Sequence, residues 1–208
     1  MQFFIVFKLH MIFEQLFDTK SSTYTYIVAS GKGREALIID PVIEHTDKYI
    51  KVLENLELKL VKVIDTHIHA DHITGLNELN KRTKCIRVMG EKSKSEVIDL
   101  KIKDNEKINI EKIELKAIYT PGHTDCSYSY LMNDRVFTGD TLLINGTGRT
   151  DFQNGSSDDA YDSLFNKLLK LPENTIVYPA HDYNGKKFST IENEKNNNPR
   201  LQVKSSNE

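Results

Sequence analysis

Apolar positions along this chain switch between two spacings, and the switches mark its elements. TYTYIVAS (23–30) is a run of aromatic and β-branched residues, and EALIID (35–40) is a second run stopped by Pro41. The Gly31-Lys32-Gly33 turn between them predicts a hairpin. Over Glu44–Leu58 the spacing changes: Tyr49, Ile50, Leu53 and Leu56 fall on one helical face. Leu60–Ile64 returns to a strand pattern, and a short helix is predicted from near Ile73 to about Lys81. Cys85–Val88 and Lys112–Tyr119 read as strands, and Ser127–Met132 with Arg135–Thr138 as a hairpin about Asn133-Asp134. Residues 145–157, rich in Gly, Asn, Ser and Thr, predict a loop. From about Asp158 to Leu171, Tyr161, Leu164, Phe165, Leu168 and Leu169 make one apolar stripe, with Asp158 and Asp159 at the positive helix end and Pro172 closing it. Thr175–Tyr178 is the last strand. The Lys- and Glu-rich stretch 90–107 reads as a solvated helix and loop, and the Asn-rich C-terminal region as a loose helix followed by disorder.

Strands alternating with helices predict an α/β domain, and 208 residues suffice for one well-buried core of that kind. Thirty acidic against 28 basic side chains, with no basic block, leave no electrostatic footprint for nucleic acid. Cys85 and Cys126 cannot make a disulfide framework, which fits a reducing compartment. The apolar start MQFFIVFKLHMIF is interrupted by Lys8 and His10, is too short to span a bilayer and lacks a small-residue cleavage site. Residues 1–10 are therefore read as an extension, disordered or strand-forming, residues 11–201 as one domain and 202–208 as a tail. With no membrane segment and no convincing targeting peptide, a cytoplasmic location is expected, or the mitochondrial matrix in a eukaryotic host.

The chemistry concentrates in DTHIHADH (65–72), where His67, His69, Asp71 and His72 crowd one stretch just past a strand. Buried imidazoles and carboxylates need partners, so such density points to a metal rather than to packing. His123 after Pro121-Gly122, Asp140 after Gly139 and His181 after Pro179-Ala180 also sit just beyond predicted strands. Strand ends can share one sheet edge, so these distant residues are expected to converge.

HIHADH (67–72), GHT (122–124), GD (139–140) and AHD (180–182), in that order, resemble the metallo-β-lactamase superfamily. The resemblance implies a four-layer αβ/βα sandwich with metal at the shared edge of two sheets. FTGDTLLINGTGRTDFQ (137–153), YPAHDY (178–183) and NPRL (198–201) resemble, more narrowly, the persulfide dioxygenases. That family's resemblance implies oxidation of glutathione persulfide by O2 at one Fe(II), giving sulfite and glutathione. Carried onto matching positions, it implies His67, His123 and Asp140 as catalytic iron ligands, a facial triad leaving three coordination positions open. His69, Asp71, His72 and His181 match positions that bind a second metal in hydrolases of the superfamily and resemble outer-shell groups in the dioxygenases. Arg149, Tyr183 and Arg200 are implied as glutathione-binding residues. The family commonly forms homodimers. Human-type members carry a cysteine where this chain has Thr147.

Other readings compete with these. A zinc or mixed-metal glyoxalase II-type hydrolase of glutathione thioesters is the runner-up, although such enzymes normally lack GRTDFQ and carry an additional helical C-terminal region. A non-catalytic or electron-transfer module would be expected to lose a ligand position, and none is lost here. Arg149 and Asp151 can equally form a structural salt bridge, Cys126 reads as a small buried thiol, and His10 and His45 read as surface residues.

Overall fold

A computed structural model describes residues 11–206. Among them, twelve strands form two six-stranded sheets. The first has the order β1 (Ile12–Asp18), β2 (Thr23–Ala29), β3 (Glu35–Ile39), β4 (Lys59–Ile64), β5 (Ile86–Gly90), β6 (Leu100–Ile102). The second runs β12 (Ser189–Thr190), β11 (Ile176–Pro179), β10 (Arg135–Gly139), β9 (Tyr128–Met132), β8 (Ile113–Tyr119), β7 (Lys107–Ile110). The predicted hairpins are present: β2 pairs antiparallel with β3, and β9 with β10.

Strand periodicity builds the layers. In β2, Tyr24, Tyr26 and Val28 point into the core between the sheets, while Ile27 and Ala29 point outward onto α1 (Thr46–Asn55) and α2 (Leu76–Thr83). With both faces covered, apolar residues dominate β2 and β3 instead of alternating with polar ones. On the outer face of the second sheet, Leu164, Leu168 and Leu169 pack against Val136, Val177 and Ile191. The result is helix, sheet, sheet, helix: the expected four-layer αβ/βα sandwich.

The core between the sheets is aromatic. Phe13, Tyr26, Phe137 and Tyr178 meet with ring centroids 4.8 Å (Phe13–Tyr178) and 5.0 Å (Tyr26–Phe137) apart. Phe137→Ala is expected to cost about 3–5 kcal/mol of stability, measured by denaturant unfolding.

Three expectations need correction. Residues 90–107 hold no helix; they contain β6 and the start of β7. The alternation of Ile102, Ile108 and Ile110 with charged residues was a strand signal, and all three side chains are buried between the sheets. The predicted 158–171 helix is not uniform. α3 (Ser157–Tyr161), N-capped by the Ser156 hydroxyl, widens into a π-helical stretch at Asp162–Lys167 and tightens to 3₁₀ geometry at Leu168–Lys170. α2 begins at Leu76, leaving Ile73 in the histidine loop, exposed. The Asn-rich region forms α4 (Ile191–Asn197), capped by Thr190, and chain through residue 206 is described beyond it. The expectations for residues 1–10, His10 included, lie outside the described residues. Among the described residues no helix is long and apolar enough to cross a membrane.

Candidate metal centre

Four strands deliver the donors to one edge. β4 ends two residues before Thr66-His67, β8 leads to His123, β10 to Asp140 and β11 to His181. Backbone bonds tie the two sheets together there: the Tyr128 N–H donates to the Thr66 carbonyl (2.8 Å) and the Tyr24 N–H to the Ala180 carbonyl (2.7 Å). The His123 loop is pressed against α3, because a side chain at Gly122 (φ +140°) would sit 2.4 Å from the Ala160 Cα. The Ser163 hydroxyl, from the π-helical stretch, donates to the Pro121 carbonyl at 2.7 Å.

Hydrogen bonding fixes the ring tautomers. Thr66 donates its hydroxyl to the Asp40 carboxylate, so its oxygen accepts from His67 Nδ1 at 2.9 Å and leaves the Nε2 lone pair free. His123 donates Nδ1–H to the Arg149 carbonyl at 2.9 Å, with the same consequence. His69 donates Nε2–H to Asp40 at 3.2 Å, which leaves its Nδ1 as the acceptor. Asp140 Oδ2 lies 3.9 Å from His67 Nε2 and 3.5 Å from His123 Nε2. His181 bridges the donor groups, its Nδ1 2.6 Å from Asp140 and its Nε2 2.9 Å from Asp71. His72 Nδ1 is 3.0 Å from the same Asp71 oxygen.

The electrostatics match this arrangement. Burial, reinforced by neighbouring imidazoles, holds His67 well below its usual range, so it stays a neutral donor. Burial alone would raise Asp140, but His181, His67 and His123 outweigh it and keep the carboxylate ionised. Burial opposes charge on His181 too, yet Asp140 and Asp71 push it up to about 10. Asp65, buried beside Asp40, is raised well above the usual carboxylate range.

The buried His69 Nδ1 and His72 Nε2 have no hydrogen-bond partner. Buried ring nitrogens with free lone pairs beside a carboxylate have the donor chemistry of a metal-ligand set. Among the described residues three groups of potential donors form, each with ligand atoms within 4.8 Å of one another: His67, His123 and Asp140; His69, Asp71, His72 and His181; and, deeper, Asp40, Asp65 and His69.

In front of the donors lies a cavity of about 390 Å³, lined by Asp71, His123, Asp140, Thr147, Arg149, Phe152, Gln153 and Tyr183. Tyr183 stacks on His181 at 6.3 Å and is exposed above it. Arg149 makes the salt bridge with Asp151 (2.7 Å) that the sequence allowed, while its backbone carbonyl orients His123. Arg200 is not brought to this cavity; it lines a neighbouring cleft with Tyr161 and Phe165 that shares Thr147 with it. Sequence reasoning missed Asp40 and Thr66, the inner supports of His67 and His69. The signal was a carboxylate closing an apolar strand in IID, directly before Pro41. It also misread His45, which is half-buried against Asp18 at 2.9 Å. Cys126 is buried, as expected.

The family model described as Metallo-beta-lactamase superfamily matches residues 18–181, so fold and site define a member of that superfamily, with a metal-binding site of histidine and aspartate. The mitochondrial persulfide dioxygenase ETHE1 of Mus musculus is 41% identical over 194 residues, 92% of this chain and 76% of the relative. The crystal structure of ETHE1 from Myxococcus xanthus aligns with a TM-score of 0.92 at 45% identity, covering 95% of this chain and 87% of that one. A hydroxyacylglutathione hydrolase from Dictyostelium discoideum is 35% identical over 84% of this chain and 68% of its own length. This chain belongs to the persulfide dioxygenase family.

Proposed function

We propose that the protein oxidises glutathione persulfide with O2 and water to glutathione and sulfite at a single Fe(II) held by His67, His123 and Asp140. The observation that carries this reading is the grouping of those three donors, with His123 and Asp140 in the cavity wall beside Arg149, Phe152 and Gln153 of GRTDFQ and His67 buried behind them. Bound ferrous iron would supply open coordination positions and the electron transfer that O2 requires and that zinc cannot provide.

The chain's own residues do the rest. Asp140 is the single carboxylate among the three donors, so a cation of charge two held there would keep a net positive charge able to attract an anionic persulfide. The Arg149 carbonyl and Asp40–Thr66 hold the rings, so donor geometry is set before any ligand arrives. Tyr183 and Arg149 stand at the mouth, where a phenol and a guanidinium suit the polar ends of glutathione. Asp71, His72 and His181 form a hydrogen-bonded support behind Asp140. Arg200 would reach only a substrate that extends into the neighbouring cleft.

The orphaned His69 Nδ1 and His72 Nε2 favour a second reading, a two-metal hydrolase of glutathione thioesters. One measurement separates the two. Iron-loaded protein given glutathione persulfide should consume O2 and form sulfite in equal amounts; thioester hydrolysis by a two-zinc protein, with no O2 uptake, would overturn the dioxygenase reading.

A further inference from the structure

The helix α4 carries an acidic side chain into the interior. Glu194 is fully buried, and the hydrogen-bond partners of its two oxygens are neutral groups. Oε1 accepts from the Ser189 hydroxyl and, at 3.3 Å, from the Asn193 side-chain amide. Oε2 accepts from the Asn145 backbone N–H at 2.9 Å and from the side-chain amide of Asn198, also fully buried, at 2.7 Å. Burying an acidic group in this way is a poor route to stability, because well-packed apolar side chains often do as well or better. What it supplies is fixed geometry, and the segments joined at Oε2 lie far apart in the chain. One is the turn at 143–146, closed by the Leu143 N–H to the Gly146 carbonyl (3.0 Å), with Asn145 in left-handed backbone at φ +56°. The other is Asn198, whose amide also donates to the Gly146 carbonyl at 3.0 Å. Just past the held turn the chain meets the metal centre. The Gly148 N–H donates to the Asp140 carbonyl at 2.7 Å, and the Arg149 carbonyl accepts from His123 Nδ1 at 2.9 Å.

We propose that Glu194 is a positioning residue for the metal centre. With Asn198 it holds the turn at 143–146, so that the Gly148 N–H and the Arg149 carbonyl keep the Asp140 backbone and the His123 ring in place. The inference rests on His123 and Asp140 being metal donors, which both functional readings share. None of the hydrogen-bond partners of Glu194 is itself a donor, so it acts only through the loop. Without the tie, the Asn145 N–H and the Gly146 carbonyl turn to other partners, and the loop carries the Arg149 carbonyl away from the ring. His123 then loses the acceptor that keeps its proton on Nδ1 and its lone pair on Nε2. The two oxygens of Glu194 divide the work. Oε2 serves the loop through Asn145 and Asn198, whereas Oε1 serves only Ser189 on β12 and Asn193 on α4 itself.

The test uses the full chain and zinc, whose binding is followed by NMR at the His123 ring against a competing chelator. Glu194→Ala and Asn198→Ala should each weaken zinc about tenfold, the lower end of the ~10–100-fold lost with an outer partner of a ligand. In the zinc-loaded variants the His123 Nδ1–H should exchange with water faster than in the parent. Ser189→Ala removes a buried hydrogen bond from the other oxygen. It should lower the unfolding midpoint and leave zinc affinity and the His123 signal as they were, a contrast that a merely structural role would not produce. Glu194→Gln, which can turn its one oxygen to Asn145 and Asn198 and its amide to Ser189, should bind zinc much as the parent does. Parental zinc affinity and His123 exchange in Asn198→Ala, or equal losses in Ser189→Ala and Asn198→Ala, overturn the proposal even if Glu194→Ala does not fold. Failure of the parent protein to bind zinc at His123 overturns the assignment of the donors instead.

Discussion

Asp140→Asn should leave the protein folded but nearly devoid of metal and of O2 uptake. The carboxylate is the only charged member of its donor group, and three imidazoles, those of His67, His123 and His181, are arranged around its two oxygens. An amide keeps the shape but removes the charge, and offers one oxygen where the carboxylate had two, so it cannot both accept from His181 Nδ1 and present an oxygen beside His67 and His123. The loss should exceed the ~10–100-fold typical of removing an outer hydrogen-bond partner of a ligand. Asp71→Asn provides that comparison, since Asp71 reaches Asp140 only through His181. Elemental analysis and O2-electrode rates, taken on both variants, check the ranking. Equal losses would place Asp71 among the ligands.

Gly148→Ala should be nearly as damaging, although it removes no functional group. A Cβ at that position would lie 2.3 Å from the Asp140 carbonyl oxygen and 2.9 Å from His123 Cγ. The Gly148 N–H already donates to that same carbonyl at 2.7 Å, so the loop cannot retreat without breaking the bond. One ligand or the other must move by several tenths of an ångström. Overpacking of this kind costs about 1–3 kcal/mol of stability, and displacement of a ligand should add a fall in metal occupancy. Comparing metal content with the unfolding midpoint separates the two effects. Full occupancy with normal turnover would show that the loop yields without disturbing Asp140 or His123.

The convergence of His67, His123, Asp140 and His181 at one edge was legible in the sequence, because each stands just past a strand-like run and His67, His69, Asp71 and His72 crowd one short stretch of the chain. Their supports were poorly legible. Asp40 and Thr66 look like ordinary strand-end residues, and only the folded pairing of β3 with β4 places them under His67 and His69. The Arg149 guanidinium drew attention in the sequence, whereas the group that acts on His123 is its backbone carbonyl, which no side-chain pattern reports. Strand content was legible where β-branched residues run together and was lost in β6 and β7, where lysines between the buried isoleucines imitate a solvated face. His45 was passed over because nothing local marks it; its partner Asp18 is 27 positions away.

The donors do not belong to one half of the molecule. His67 follows a strand of the first sheet, whereas His123, Asp140 and His181 follow strands of the second. A bound cation therefore works as a rivet between two leaves that are otherwise joined at that edge by a few backbone bonds and the packing behind them. Filling the site stabilises the folded chain by an amount that grows with the logarithm of free metal over its dissociation constant. Metal supply and fold integrity are thus a single equilibrium. A cell short of metal would hold a looser sandwich, open first along the edge where the chemistry occurs, as well as an idle enzyme.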